Sequence, residues 1–215
     1  MDITYLGHSG FLLKFKSTRV VCDPFFESVG FKLAKIKADI VTISHQHKDH
    51  NNSDGVEGEP MIINGPGEYE IKGVAITGIS TFHDDNEGKD RGKNVVYTFQ
   101  AEDLRICHLG DLGHELSEKT ISQLGDLDVL LIPVGGVYTI DLKQAVKVIK
   151  QISPSIVIPM HYRTKEHSSL WKNKATCKEF IDEIQMEPKK EKKLTVKKLD
   201  LPEELSLVVL ERYVK

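Results

Sequence analysis

Three short runs, DIVTIS (39–44), DVLLIPV (128–134) and SIVIPM (155–160), each hold a compact group of apolar, mostly branched residues. They are short for helices and lack the strict apolar–polar alternation of strands with one wet face, so they read as buried strands. A fold containing them must cover its sheets. The rest of the sequence supplies the cover. In the first half, DITYLG and FLLKF flank Gly7 and Gly10, RVVCDP follows, and MIING, YEIKG and VAITGIS are broken by Gly65, Pro66, Gly67 and Gly73. These are strand and turn signals. NVVYTFQ and LRICHLGD read as a hairpin around Ala101–Asp103. In the second half, SEKTISQLG offers a helix with a Ser117 cap and a stop at Gly125, and DLKQAVKVIKQI is an amphipathic helix begun by Asp141 and ended before Pro154. KATCKEFIDEIQ reads as a third helix, PKKEKK as a charged, solvated turn, and SLVVLERY as a closing strand. Strands first and strand–helix alternation later imply two sheets with outer helices in one domain, residues 1–215.

Composition narrows the function classes. With 40% hydrophobic and 28% charged residues among 215, a sizeable core is available. The net charge of −3 disfavours a broadly basic nucleic-acid surface, while leaving a local basic groove open. Cys22, Cys107 and Cys177 are odd in number and form no CxxC pair, as expected of a reducing cytoplasm. MDITYLGHSG lacks the basic and apolar regions of a signal peptide, and no apolar run approaches the ~20 residues needed to cross a bilayer. No membrane partner is therefore expected.

The chemistry concentrates in SHQHKDH (44–50), directly after a buried strand. On one helix His45 and His47 would point roughly 200° apart. In extended chain they share a side and can grip one ion. Asp49 and His50 diverge by roughly 100° on a starting helical turn, which suits a second ion beside the first. Imidazole and carboxylate together favour zinc, iron or manganese over calcium or magnesium. The alternative, a polar loop with chance histidines, fits so dense a cluster poorly. Four residues cannot complete two shells. Further donors stand after other expected strands: His83 in STFHDD, His108, Asp111 and His114 in CHLGDLGH, and His161 in IPMHYRT. Either His83 or His108 can supply the third histidine.

HxHxDH, a lone His, GD and a final His resemble, in order and rough spacing, the metallo-β-lactamase superfamily of metal-dependent hydrolases. GHSGFLL, CHLGDLG, PVGGVYTI and IPMHY are similar to the branch of small hydrolases that includes an ascorbate-phosphate lactonase. The resemblance implies an α/β fold, a four-layer αβ/βα sandwich of two facing mixed β-sheets with outer helices. It implies two divalent metal ions, zinc with manganese or iron as alternatives. His45, His47 and His83 would hold the first, Asp49, His50 and His161 the second, and Asp111 would bridge them. Asp23 would orient a ligand histidine, as would His108 if it is not itself a ligand. An aspartate at 111 rather than a cysteine points away from a true zinc β-lactamase, and a histidine at 47 rather than a glutamate points away from diiron flavoproteins. Homo-oligomer formation is a further expectation by analogy.

The expected reaction is attack by a metal-activated water on a small, anionic ester, lactone or phosphodiester. Asp49 or Asp111 would relay the proton, and His8 or His108 would bond the developing oxyanion or leaving group. Arg163, two residues beyond His161, Arg91 in the loop DDNEGKDRGKN, and Thr139 in PVGGVYT are expected to bind substrate, although all three also fit plain loop positions. His114 and His167 read as surface residues, Cys107 as packing, and Trp171 as a local core plug. A nuclease or cyclic-nucleotide phosphodiesterase is the rival enzyme reading. A metal-binding or ligand-sensing protein without catalysis is the rival of another class. Turnover of a lactone against a phosphodiester separates them.

Overall fold

The computed structural model describes residues 1–214. Its strands run β1 (Asp2–Gly7), β2 (Gly10–Lys14), β3 (Arg19–Cys22), β4 (Ile36–Lys37), β5 (Ile40–Thr42), β6 (Val56–Glu57), β7 (Met61–Ile63), β8 (Gly67–Ile71), β9 (Val74–Phe82), β10 (Lys93–Ala101), β11 (Leu104–His108), β12 (Val129–Pro133), β13 (Ile156–Met160), β14 (Lys189–Glu191), β15 (Leu194–Thr195) and β16 (Ser206–Leu210). The helices are α1 (Glu118–Leu124), α2 (Leu142–Ile152) and α3 (Cys177–Ile184).

One mixed sheet has the order β15-β1-β2-β3-β5-β7, and a second has β14-β16-β13-β12-β11-β10-β9-β8. Their inner faces share one core, in which Ile3, Phe11 and Leu13 of the first sheet meet Val95, Phe99 and Ile106 of the second. The apolar faces of α2 and α3, with Ala145, Val148, Ile149 and Phe180, join the same cluster. This is the αβ/βα sandwich. Every residue of β12 and β13 is buried, because sheet and helices cover both faces of these parallel strands. The other face of the first sheet carries a smaller cluster of Leu6, Val21, Phe25, Val29, Val41 and Val56. Its cover is a single 3₁₀ turn at Glu27–Val29 and the short β4–β6 pair rather than an α-helix.

Local signals explain the boundaries. Ser117, Asp141 and Thr176 each accept a bond from the backbone N–H three residues on, and the last two complete capping boxes with Gln144 and Glu179. The β10–β11 hairpin turns at Glu102 and Asp103, both left-handed with φ of 55° and 61°. PKKEKK departs from its expected reading. Lys189–Glu191 forms an edge strand parallel to β16, fully exposed, because the last strand of the sheet offers an open ladder that charged side chains can cover.

If β12 lies between two packed layers, Leu131→Ala leaves a cavity the surroundings cannot fill. The expected cost is about 2–5 kcal/mol, read as a lower urea midpoint at unchanged slope. A midpoint indistinguishable from wild type would contradict this burial.

Candidate metal centre

Strands β1, β3 and β13 end at Gly7, Cys22 and Met160, and the next residue of each, His8, Asp23 and His161, is left-handed with φ of 56°, 43° and 57°. His and Asp enter this region more readily than most residues. All three are buried at one end of the sandwich. The segment SHQHKDH leaves β5 at the same end.

Asp23 organises that segment. Its Oδ1 accepts the Ser44 backbone N–H at 2.8 Å, and its Oδ2 accepts the Ser44 hydroxyl at 2.5 Å and His50 Nδ1–H at 2.7 Å. With its own proton given to Asp23, Ser44 Oγ accepts from His45 Nδ1–H at 3.0 Å. Both imidazoles are thereby fixed with Nε2 carrying the free lone pair. Asn94 does similar service on the other side. Its side chain accepts the Asp111 N–H at 2.9 Å and donates to Leu109 O at 2.9 Å. Gly110 lies so close that a Cβ there would stand 2.4 Å from Asn94 Oδ1.

The donors converge in overlapping groups. Ligand-capable atoms of His45, His47 and His83 lie within 4.8 Å of one another, as do those of His8, Asp49, His50 and His161, and those of His45, His50 and Asp111. Asp111 sits among them. Its Oδ1 is 3.3 Å from His50 Nε2, and its Oδ2 is 3.3 Å from His83 Nε2 and 3.2 Å from His161 Nε2. His45 Nε2, His50 Nε2 and Asp111 Oδ1 are buried without hydrogen-bond partners among the described residues. Converging, unpartnered nitrogen and carboxylate atoms are what a divalent cation requires.

The electrostatics agree. Burial pushes His45 down to about 3 and holds His47, His83 and His161 below the usual imidazole range, so they are neutral near pH 7, the ligating form. His50 is the exception. Burial opposes its charge, but Asp111 and Asp49 outweigh burial and raise its pKa well above the ordinary value. Burial likewise opposes the Asp111 carboxylate, yet His161 and His50 hold it well below the carboxylate range. The field at this point favours positive charge.

The structure brings His83, not His108, to the cluster. His108 Nε2–H donates to Ser9 O at 2.8 Å, and its Nδ1 accepts the Gly110 N–H at 3.1 Å. Both nitrogens are spent, so the expected catalytic role of His108 gives way to supporting the loop before Asp111. His8 Nε2 lies 3.2 Å from Asp49 Oδ2 and its ring 4.5 Å from that of His161.

A cavity of about 390 Å³ opens over these donors, lined in part by His47, Asp49, His83, Arg91, Asp111 and His161. Of the expected substrate residues only Arg91 lines it. Thr139 is buried with its hydroxyl on Ile140 O at 3.3 Å, and Tyr138 takes the cavity face instead. Arg163 pairs with Thr176 at the start of α3, because its backbone is committed to a bridge there. Gly135 faces His161 O rather than the cavity. His114 is half-buried, accepting the Phe82 N–H at 3.2 Å. His167 is not a surface residue: its ring packs 5.0 Å from Phe31, 5.4 Å from Trp171 and 5.8 Å from His8, and burial lowers its pKa to about 3. Trp171 packs 4.5 Å from His8, as a plug would, and also lines the cavity. Two residues went unread in the sequence. Lys174, buried on the cavity wall, carries no local signal. Asp84 caps four backbone N–H groups of its loop, from Asn86, Gly88, Asp90 and Arg91, at 2.7–3.1 Å, and its DDNEG context was a legible turn signal.

A family model described as "Beta-lactamase superfamily domain" matches residues 2–161. The chain belongs to the metallo-β-lactamase superfamily. It is similar to the UPF0173 metal-dependent hydrolase MK1542 of Methanopyrus kandleri, 31% identical over 198 residues, covering 76% of this chain and 85% of that one. A solved structure from Thermotoga maritima, described as a candidate Zn-dependent hydrolase of the superfamily, is 37% identical with TM-score 0.82 and 97% of each chain covered. Igni18, a metallo hydrolase of Ignicoccus hospitalis, shares the fold at TM-score 0.65 and 23% identity over 86% of this chain and 90% of that one. The chain is a metal-dependent hydrolase of this superfamily.

If Asp23 orients His45 through Ser44 and His50 directly, Asp23→Ala disorders both. The expected result is a roughly 10–100-fold weaker metal affinity by competition with a chelating dye. An unchanged affinity would remove Asp23 from the metal centre.

Proposed function

We propose that the centre is binuclear, with His45, His47 and His83 holding one ion, Asp49, His50 and His161 the other, and Asp111 shared between them. The carrying observation is Asp111 within 3.3 Å of three imidazoles that belong to both groups. Zinc is the favoured ion, because imidazole outnumbers carboxylate five to two in the proposed set; with no thiolate in that set, manganese and iron are the alternatives. When bound, the ions supply an activated water and polarise the oxygen of the scissile group.

The chain does the rest. Asp49 lines the cavity, and His8 Nε2–H holds its Oδ2 at 3.2 Å. Its other oxygen is free to take the proton of the attacking water and return it to the leaving oxygen as the C–O or P–O bond breaks. Asp111, enclosed by three imidazoles, is the poorer base. A cavity of about 390 Å³ suits a small ester, lactone or phosphodiester. The protein is read as one domain, since a single core runs from Ile3 to Leu210. A cytoplasmic setting fits its three free cysteines.

Asp111→Asn and His161→Ala are expected to lose most of the metal and most of the hydrolysis of bis(p-nitrophenyl) phosphate and γ-butyrolactone together. Full metal content with full activity in both variants would overturn the reading.

A further inference from the structure

Lys174 is the charged residue that this metal centre leaves unused. It is 4% exposed. Among the described residues its Nζ has only the two ring nitrogens of His161 in hydrogen-bonding range, at 3.3 and 3.2 Å. His161 Nε2 is already claimed, lying 3.2 Å from Asp111 Oδ2. No carboxylate among the described residues pairs with Lys174 within 4.0 Å. A buried ammonium without a counter-charge is costly, and a chain that keeps one has a use for it.

A second cation stands on the same wall. The Arg91 guanidinium lies 3.8 Å from the centre of the Tyr138 ring, and its Nε is buried without a partner among the described residues. Lys174 Nζ lies 5.0 Å from that same ring centre and 4.5 Å from the Trp171 ring. Both cations line the cavity that holds the metal donors. The backbone that carries each is held in place. Asp84 accepts the Arg91 N–H at 2.7 Å and closes the loop behind it. Lys174 N–H donates to Trp171 O at 3.0 Å, and Ala175 N–H to Gly135 O at 2.8 Å. Two preorganised cations on aromatic rings bind an oxyanion with little ordering cost. Leu170, 80% exposed, and Tyr138, 43% exposed, add an apolar rim beside them.

We propose that Lys174 and Arg91 form an anion clamp that sets substrate specificity. The substrate carries a carboxylate or phosphate-like oxyanion set apart from the bond that is cleaved, with an apolar body lying against Trp171, Tyr138 and Leu170. The inference rests on the hydrolytic reading of the His/Asp centre for the position of the cleaved bond, but the clamp itself is a property of the wall.

The test is calorimetric titration of zinc-loaded wild type, Lys174→Met, Arg91→Met and Arg163→Met with acetate, glutarate and 3-phosphonopropionate. Acetate can occupy either the metal centre or the clamp, whereas the other two probes can span both. Lys174→Met and Arg91→Met are each expected to raise the Kd of the spanning probes by roughly tenfold or more, and to raise that of acetate less, because one charge-assisted pair is lost. Arg163→Met, outside the cavity, is expected to match wild type. A larger loss for glutarate identifies a carboxylate handle, and a larger loss for 3-phosphonopropionate a phosphate-like one. Spanning probes that bind all four proteins alike, or that bind none, overturn the clamp. If wild type takes up no metal, the hydrolytic reading falls and the titration is made on the metal-free chain. Glutarate affinity that still depends on Lys174 and Arg91 then keeps the clamp, and affinity independent of both removes it.

Discussion

A buried carboxylate, Asp23, is the tie on which the site depends. It accepts two bonds from Ser44 and one from His50. Through them it joins the end of β3 to the loop after β5 and fixes the free lone pairs of His45 and His50. Its own charge is tolerable in the interior because donors surround it. A second buried carboxylate, Asp111, is placed by Asn94 and the tight turn at Gly110. Between these two anchors the sandwich needs no long loop to bring the His and Asp side chains together. It needs strands that end at the same edge and turn sharply there.

That arrangement explains what could be read from the chain. HxHxDH is local: two extended positions and one turn place four donors together, and the structure keeps that turn, with His50 N–H on His47 O at 2.9 Å. The buried strands and capped helices are also local, set by apolar runs and by Ser117, Asp141 and Thr176. The choice of His83 over His108 is not local. It depends on β9 and β11 lying in one sheet, with His108 turned toward Ser9 in the turn between β1 and β2. Arg163 illustrates the same limit. Proximity to His161 in sequence suggested the cavity, but the backbone at 163 is bridged to Thr176, and the chain brings Lys174 to the cavity wall eleven residues later. Long-range pairing decides such cases, and one sequence does not display it.

The site therefore divides into two halves of different chemistry. One wall is imidazole and carboxylate, nearly free of exposed side chain, where desolvation keeps most histidines neutral and ready to ligate. The other is cationic and aromatic, from Arg91, Tyr138, Trp171 and Lys174. The first half is suited to bond cleavage and the second to recognition.

The central claim is the shared position of Asp111 between two cations. Anomalous diffraction at the zinc edge, from crystals of untagged protein grown with zinc, tests it most directly. Two peaks are expected, one on each side of the Asp111 carboxylate, the first within bonding distance of His45, His47 and His83 and the second of Asp49, His50 and His161. A single peak, or peaks that leave Asp111 without a metal contact, would contradict it.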